Sequence, residues 1–223
     1  MISFVLAESA LELAPKEIWG QPAVASDARR RGKKPGEILL DRSFHHSAME
    51  RLPDSEKRGR PDLVHVALLS VTGTPLYLDG RVRAYVHTWP GRVIEVAEKT
   101  RIPKNYIRFR GLMEEALAGG SEGGLLRVHD WEVKELVRRV GGGRAFGLSV
   151  LGRKSTPKGL AEETVKSDDP VVVVGGFPHG HFSKETAAAL DEVVRVHPKP
   201  LEAHVVAARV LYEIEMAVEG FND

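Results

Sequence analysis

Cysteine is absent from the 223-residue chain. That excludes disulfides, a thiolate metal site and a cysteine nucleophile. Long hydrophobic runs are missing too: none approaches the ~20 apolar residues that a membrane-spanning helix needs. The start, Met1-Ile2-Ser3-Phe4-Val5-Leu6-Ala7-Glu8, lacks a basic leader, turns acidic early and reads as a first strand. A soluble, cytoplasmic protein with no membrane partner is expected. Charge of one sign is also lacking overall: 32 Lys+Arg face 31 Asp+Glu, a net charge of +1. Cationic clusters in such a chain are local, so a polyanion would meet one face.

Two clusters stand out. Lys57-Arg58-Gly59-Arg60-Pro61-Asp62 is followed by His65, and Arg101-Ile102-Pro103-Lys104-Asn105-Tyr106-Ile107-Arg108-Phe109-Arg110 contains no acid. Arg101, Lys104 and Arg108 are three and four apart, so a helix would align them on one face, with Pro103 in its first turn. Such a row can track phosphates; a solvated helix face is the plainer reading. Pro61 stiffens the Arg60–Asp62 pair, and Asp62 can hold the guanidinium by charge-assisted bonds. A simple surface ion pair would have the same sequence.

Patterning predicts alternating strands and helices, hence α/β with a largely parallel sheet. Strands are expected at Ile2–Ala7, Ile38–Leu40, Leu125–Val128, Ala145–Val150, Val171–Val174 and Glu192–His197. A hairpin is expected from Arg83–His87 and Arg92–Val96. Helices are expected to carry Phe44, Ala48, Met49 and Leu52, then to start at Pro61 (a strand being the alternative), and to cover Lys104–Ala118, Trp131–Val140, Leu160–Lys166, Lys184–Leu190 and Leu201–Val218. Residues 21–36 read as a polar, basic run, and Ala118–Gly124 as the clearest linker.

Four valines, Val171–Val174, imply a strand buried on both faces. It runs into Gly175-Gly176-Phe177-Pro178-His179-Gly180, where a ligand could approach the backbone closely. An ordinary tight turn is the alternative. The loop is not a GxGxxG fingerprint, and Gly147–Ser155 misses a P-loop because Arg153 intrudes before Lys154. His179 and His181 lack a third ligand, so no metal is expected.

Asp41-Arg42-Ser43-Phe44-His45-His46, Lys57–Asp62 with His65, Tyr85-Val86-His87-Thr88, and Arg101–Tyr106 with Arg108-Phe109 and Gly111-Leu112-Met113 stand in one order. The chain resembles the methyltransferases that modify N1 of a pseudouridine in small-subunit ribosomal RNA during ribosome biogenesis. Those belong to the SPOUT superfamily of knotted α/β enzymes, and the compact length is similar to archaeal members. The resemblance implies one SPOUT domain over residues 1–223 with a hairpin-and-helix insertion around 72–118. It also implies a deep C-terminal trefoil knot and a homodimer. Small-subunit ribosomal RNA is the implied partner, with small-subunit ribosomal proteins as further candidates.

The implied cofactor is S-adenosyl-L-methionine, held by three segments. Gly175, Gly176, Phe177 and Gly180 form the first loop. Pro198, Lys199, Pro200, Leu201, Glu202 and Ala203 form the second, though small hydroxyl residues often stand where Glu202 and His204 are. Gly147, Leu148 and Ser149 supply the third contact. Arg60 would touch the RNA and Asp62 would steady it, making these the catalytic pair. Arg101, Lys104 and Arg108 take RNA-contacting positions, Lys104 standing where arginine is common. Methyl transfer to a free N1–H needs no covalent nucleophile, only in-line positioning of a base turned out of its stack. A SPOUT enzyme of different target is a second reading. An RNA-binding assembly factor that makes little catalytic use of its cofactor pocket is a third.

Overall fold

The computed structural model describes residues 1–120 and 124–218. Part of the expected linker, residues 121–123, lies outside the described residues. Seven strands form one sheet in the order β4-β3-β2-β1-β6-β5-β7. They are β1 Ile2–Ser9, β2 Val82–Thr88, β3 Val93–Val96, β4 Leu126–His129, β5 Ala145–Lys154, β6 Val171–Gly175 and β7 Glu192–Arg195. β1 pairs in parallel with both β2 and β6, and β5 with both β6 and β7. Only the β2-β3-β4 edge is antiparallel. No described helix is long and apolar enough to cross a membrane.

β6 sits between β1 and β5, and its four valines are buried. Alternation divides them: Val172 and Val174 join the larger core, Val171 and Val173 the smaller one behind the sheet. Each buried valine contributes about 1.5–3 kcal/mol of transfer free energy. The larger core takes apolar faces from α3 (Pro61–Thr72), α4 (Pro75–Leu78), α5 (Tyr106–Leu117), α7 (Pro157–Thr164) and α9 (Ala203–Ala217). α6 (Val133–Val140) supplies Leu136 to the smaller core, with Leu190 beyond α8 (Lys184–Ala188) packed against it. A third cluster joins α1 (Pro22–Arg30) to α2 (Arg42–Met49).

Three expectations change. The polar run at 21–36 contains α1, whose inward face is only Val24, Asp27 and Ala28, too narrow an apolar stripe to announce a helix. Ile38–Leu40 is not a strand of the sheet; Leu39 makes an isolated antiparallel bridge to Leu13. α5 starts at Tyr106 rather than Lys104, because the Asn105 side chain caps it by accepting from the Ile107 and Arg108 amides. Arg101 and Lys104 therefore precede the helix, and only Arg108 belongs to it.

Candidate active site

β6 ends at Gly175, and the loop after it is pinned to β1. The Gly176 amide donates to the Ala7 carbonyl and the Ala10 amide to the Gly176 carbonyl, both at 2.8 Å. A Cβ at Gly176 would lie 2.2 Å from Ser9 Oγ, so only glycine permits this approach. Gly180 adopts φ +94°, a conformation that side chains resist.

Lys57 braces this loop from outside. Its ammonium donates to the His181 carbonyl at 2.5 Å and stands 4.6 Å from the centre of the Phe177 ring. On its other side Glu8 Oε2 lies 3.3 Å away. Glu8 Oε1 accepts from the Ser183 amide at 2.7 Å, where α8 begins. Burial pushes the Glu8 carboxyl up, but the Ser183 bond and Lys57 outweigh it and keep the group anionic.

The loop borders a cavity of about 670 Å³. Leu148 and Ser149 of β5 line it, as do Gly175, Gly176, Phe177 and Gly180. Lys199, Pro200, Leu201, Glu202 and Ala203 close the far side. Gly147 and Pro198 do not line it. At Gly147 a Cβ would meet Leu190 at 2.2 Å, so the strand is closely packed there. Val194, Arg195 and His197 add to the wall, and so does Leu63 from α3.

Leu63 brings the cavity to the basic motif. Three residues earlier, Arg60 precedes α3 and its amide donates to the Ala10 carbonyl at 3.0 Å. Arg60 Nε and Nη2 donate to the two Asp62 oxygens, each at 2.8 Å. Burial pushes the Asp62 carboxyl up, and the Arg60 bonds more than reverse it, holding it below the usual carboxylate range. Asp62 in turn holds Arg60 firmly protonated, and the Glu202 charge from the cavity rim acts in the same sense.

A model of the EMG1/NEP1 methyltransferase family matches residues 4–215. The chain belongs to that family. A ribosomal RNA small subunit methyltransferase Nep1 from Staphylothermus marinus is 43% identical over 219 residues, covering 96% of this chain and 95% of that protein. One from Pyrobaculum arsenaticum is 46% identical over 221 residues, covering 96% and 97%. The crystal structure of Archaeoglobus fulgidus Nep1 bound to S-adenosylhomocysteine superposes with a TM-score of 0.86 at 38% identity, covering 96% of this chain and 97% of that one.

In this EMG1/NEP1 member the second basic motif packs beside the first. His65 Nε2–H donates to the Pro103 carbonyl at 2.7 Å, and its ring stacks on Phe109 at 4.3 Å. The Tyr106 hydroxyl donates to Asp41 Oδ2 at 2.5 Å, while Asp41 Oδ1 caps α2 through the Ser43 amide. Arg101, Lys104 and Arg108 are exposed and form no ion pair with the described residues. Arg58 and Lys57 of the first motif are instead spent internally. Arg58 makes a bidentate pair with Glu12 at 2.7 Å, and Lys57 holds the glycine loop. Arg31 and Lys33 likewise converge on buried Glu114. Sequence reasoning missed Glu8, Leu63 and the bracing part of Lys57, because their partners are remote in the chain.

Proposed function

We propose that this protein transfers a methyl group from S-adenosyl-L-methionine to N1 of a pseudouridine in small-subunit ribosomal RNA. The observation that carries the reading is adjacency: Leu63 lines the cavity, and the half-exposed Arg60–Asp62 pair stands within three residues of it at the start of α3. The cavity fits the cofactor in size, about 670 Å³, and in its lining, where glycine backbone at Gly175, Gly176 and Gly180 meets the apolar Leu148, Phe177 and Leu201. The complex of the Archaeoglobus relative with S-adenosylhomocysteine supports the same assignment. When bound, the cofactor supplies an electrophilic methyl group.

The protein's own residues then have definable tasks. The loops at Gly175–Gly180 and Lys199–Ala203, with Leu148 and Ser149, bind and orient the cofactor. Arg60, locked by two bonds to Asp62, offers its remaining N–H groups to the RNA at the cavity mouth. Asp62 is a poor acceptor for the N1 proton, being tied through both oxygens, so its part is to orient Arg60. Arg101, Lys104 and Arg108 take the flanking phosphates. Acceleration comes chiefly from holding the two reactants in line. The same reading takes the chain as one domain with an insertion at 72–118 and a C-terminal knot, working as a cytoplasmic homodimer in ribosome biogenesis. Ribosomal proteins of the small subunit are its further candidate partners.

Calorimetry with S-adenosyl-L-methionine tests the first half. Saturable binding, one cofactor per chain, is expected. A protein that binds RNA but takes up no cofactor would instead be an assembly factor.

A further inference from the structure

One residue of the Asp41–His46 motif is left over by the account above. On α2, Ala48 and Met49 turn into the apolar cluster with α1, and His45 is fully buried. Phe44 does not join them; it is 43% exposed. Two guanidiniums stand over its ring at a distance, Arg30 from α1 at 5.6 Å and Arg110 from α5 at 5.7 Å from the centre. Arg30 is paired with Asp27 at 2.6 Å. Arg110 forms no ion pair with the described residues, and its Nε is buried without a hydrogen-bond partner. An exposed aromatic framed by cations is the arrangement that holds a nucleobase by stacking while the cations meet its phosphates.

The placement is rigid and continuous with the site. The Tyr106–Asp41 bond lashes α2 to α5, and the Arg42 amide donates to the Gly59 carbonyl at 2.8 Å, one residue before Arg60. Phe44 therefore stands on an element bonded directly to the motif that carries Arg60. We propose that Phe44 is a stacking platform for an RNA base outside the reacting position, with Arg30 and Arg110 gripping the adjoining backbone. The proposal rests on RNA being the substrate.

The test measures binding of a single-stranded RNA carrying one pseudouridine, and of the same RNA made abasic at every other position, by fluorescence anisotropy across salt. Phe44→Ala should weaken binding of the intact RNA about ten-fold without changing the salt slope, and leave binding of the abasic RNA unaltered. Phe44→Leu, which keeps apolar bulk but no π-face, should lose as much, and Phe44→Tyr should restore the parent affinity. Cofactor calorimetry on each variant reports an intact fold. If Phe44→Leu binds intact RNA like the parent, or loses equally on abasic RNA, the platform is wrong while the proposed function stands. If the parent itself binds neither RNA, the proposed function falls as well.

Discussion

Lys57 donates to the His181 carbonyl across 2.5 Å, a bond between residues 124 positions apart. It ties the motif that carries Arg60 to the loop that borders the cavity. With Glu8 of β1 behind it, Lys57 adds a second hold on the loop to the backbone bonds from β1. Lys57→Met should therefore weaken cofactor binding about ten-fold, the range of one charged hydrogen bond. RNA affinity should change little, because this ammonium is already engaged. Calorimetry with S-adenosyl-L-methionine checks it; Lys57→Arg should recover part of the loss, and unchanged affinity in Lys57→Met would refute the bracing role.

Gly180 is the position where a side chain should do most harm to the loop. Its φ of +94° disfavours any L side chain, and a Cβ would sit 2.9 Å from Lys57 Cε. Gly180→Val should add roughly 1–3 kcal/mol of local strain. Cofactor binding should fall below detection while circular dichroism and the melting profile stay close to the parent.

The Arg60–Asp62 pair gives a different signature. Asp62→Asn keeps the shape but loses the charge that holds the guanidinium. Single-turnover methyl transfer should fall roughly a hundred-fold, the cost of a reactant about 1 Å out of place. Arg60→Met should fall at least as far. Both should bind S-adenosyl-L-methionine like the parent, since neither residue lines the cavity. A parent-like rate in Arg60→Met would remove Arg60 from the site.

Acid should destabilise the fold through His87. Burial lowers its pKa from the ordinary 6.5, and its Nδ1 accepts from the Glu8 amide at 3.2 Å, which requires that nitrogen unprotonated. A depressed histidine contributes stability that is complete above the unfolded pKa. It is lost as pH falls, because the unfolded chain binds a proton that the folded one refuses. His45, fully buried, acts in the same direction. Stability should drop by up to about 1.4 kcal/mol per pH unit per histidine below pH 6.5. Melting temperatures from pH 7 to 5.5 should show a shallower fall in His87→Gln; an equal slope would clear His87 of the effect.

How far the sequence discloses this site depends on the range of the interactions involved. β6 and its glycine loop are legible because four β-branched residues in a row fit little but a doubly buried strand. The Arg60–Asp62 pair is legible because its partners are two residues apart. The Arg101–Arg108 row is legible as charge but not as shape, since Asn105 delays the helix by a side-chain cap. Phe44 is legible as a helix residue with Ala48 and Met49, but its exposure depends on how α2 turns against α1. Gly147 is a cofactor contact only by resemblance; what its sequence neighbourhood does not disclose is the close approach of Leu190 to β5 there. Lys57, Glu8 and Leu63 depend on contacts made only when β1, α3 and the loop after β6 meet.

The central claim is the acceptor atom. Two RNA oligonucleotides, identical except for one pseudouridine or uridine, should be incubated with the protein and S-adenosyl-L-methionine, then digested to nucleosides and analysed by mass spectrometry. The account predicts N1-methylpseudouridine from the first RNA in stoichiometric yield, and no methylated nucleoside from the second. Methylation of both RNAs, or a methyl group on a ribose or on another base, would contradict it.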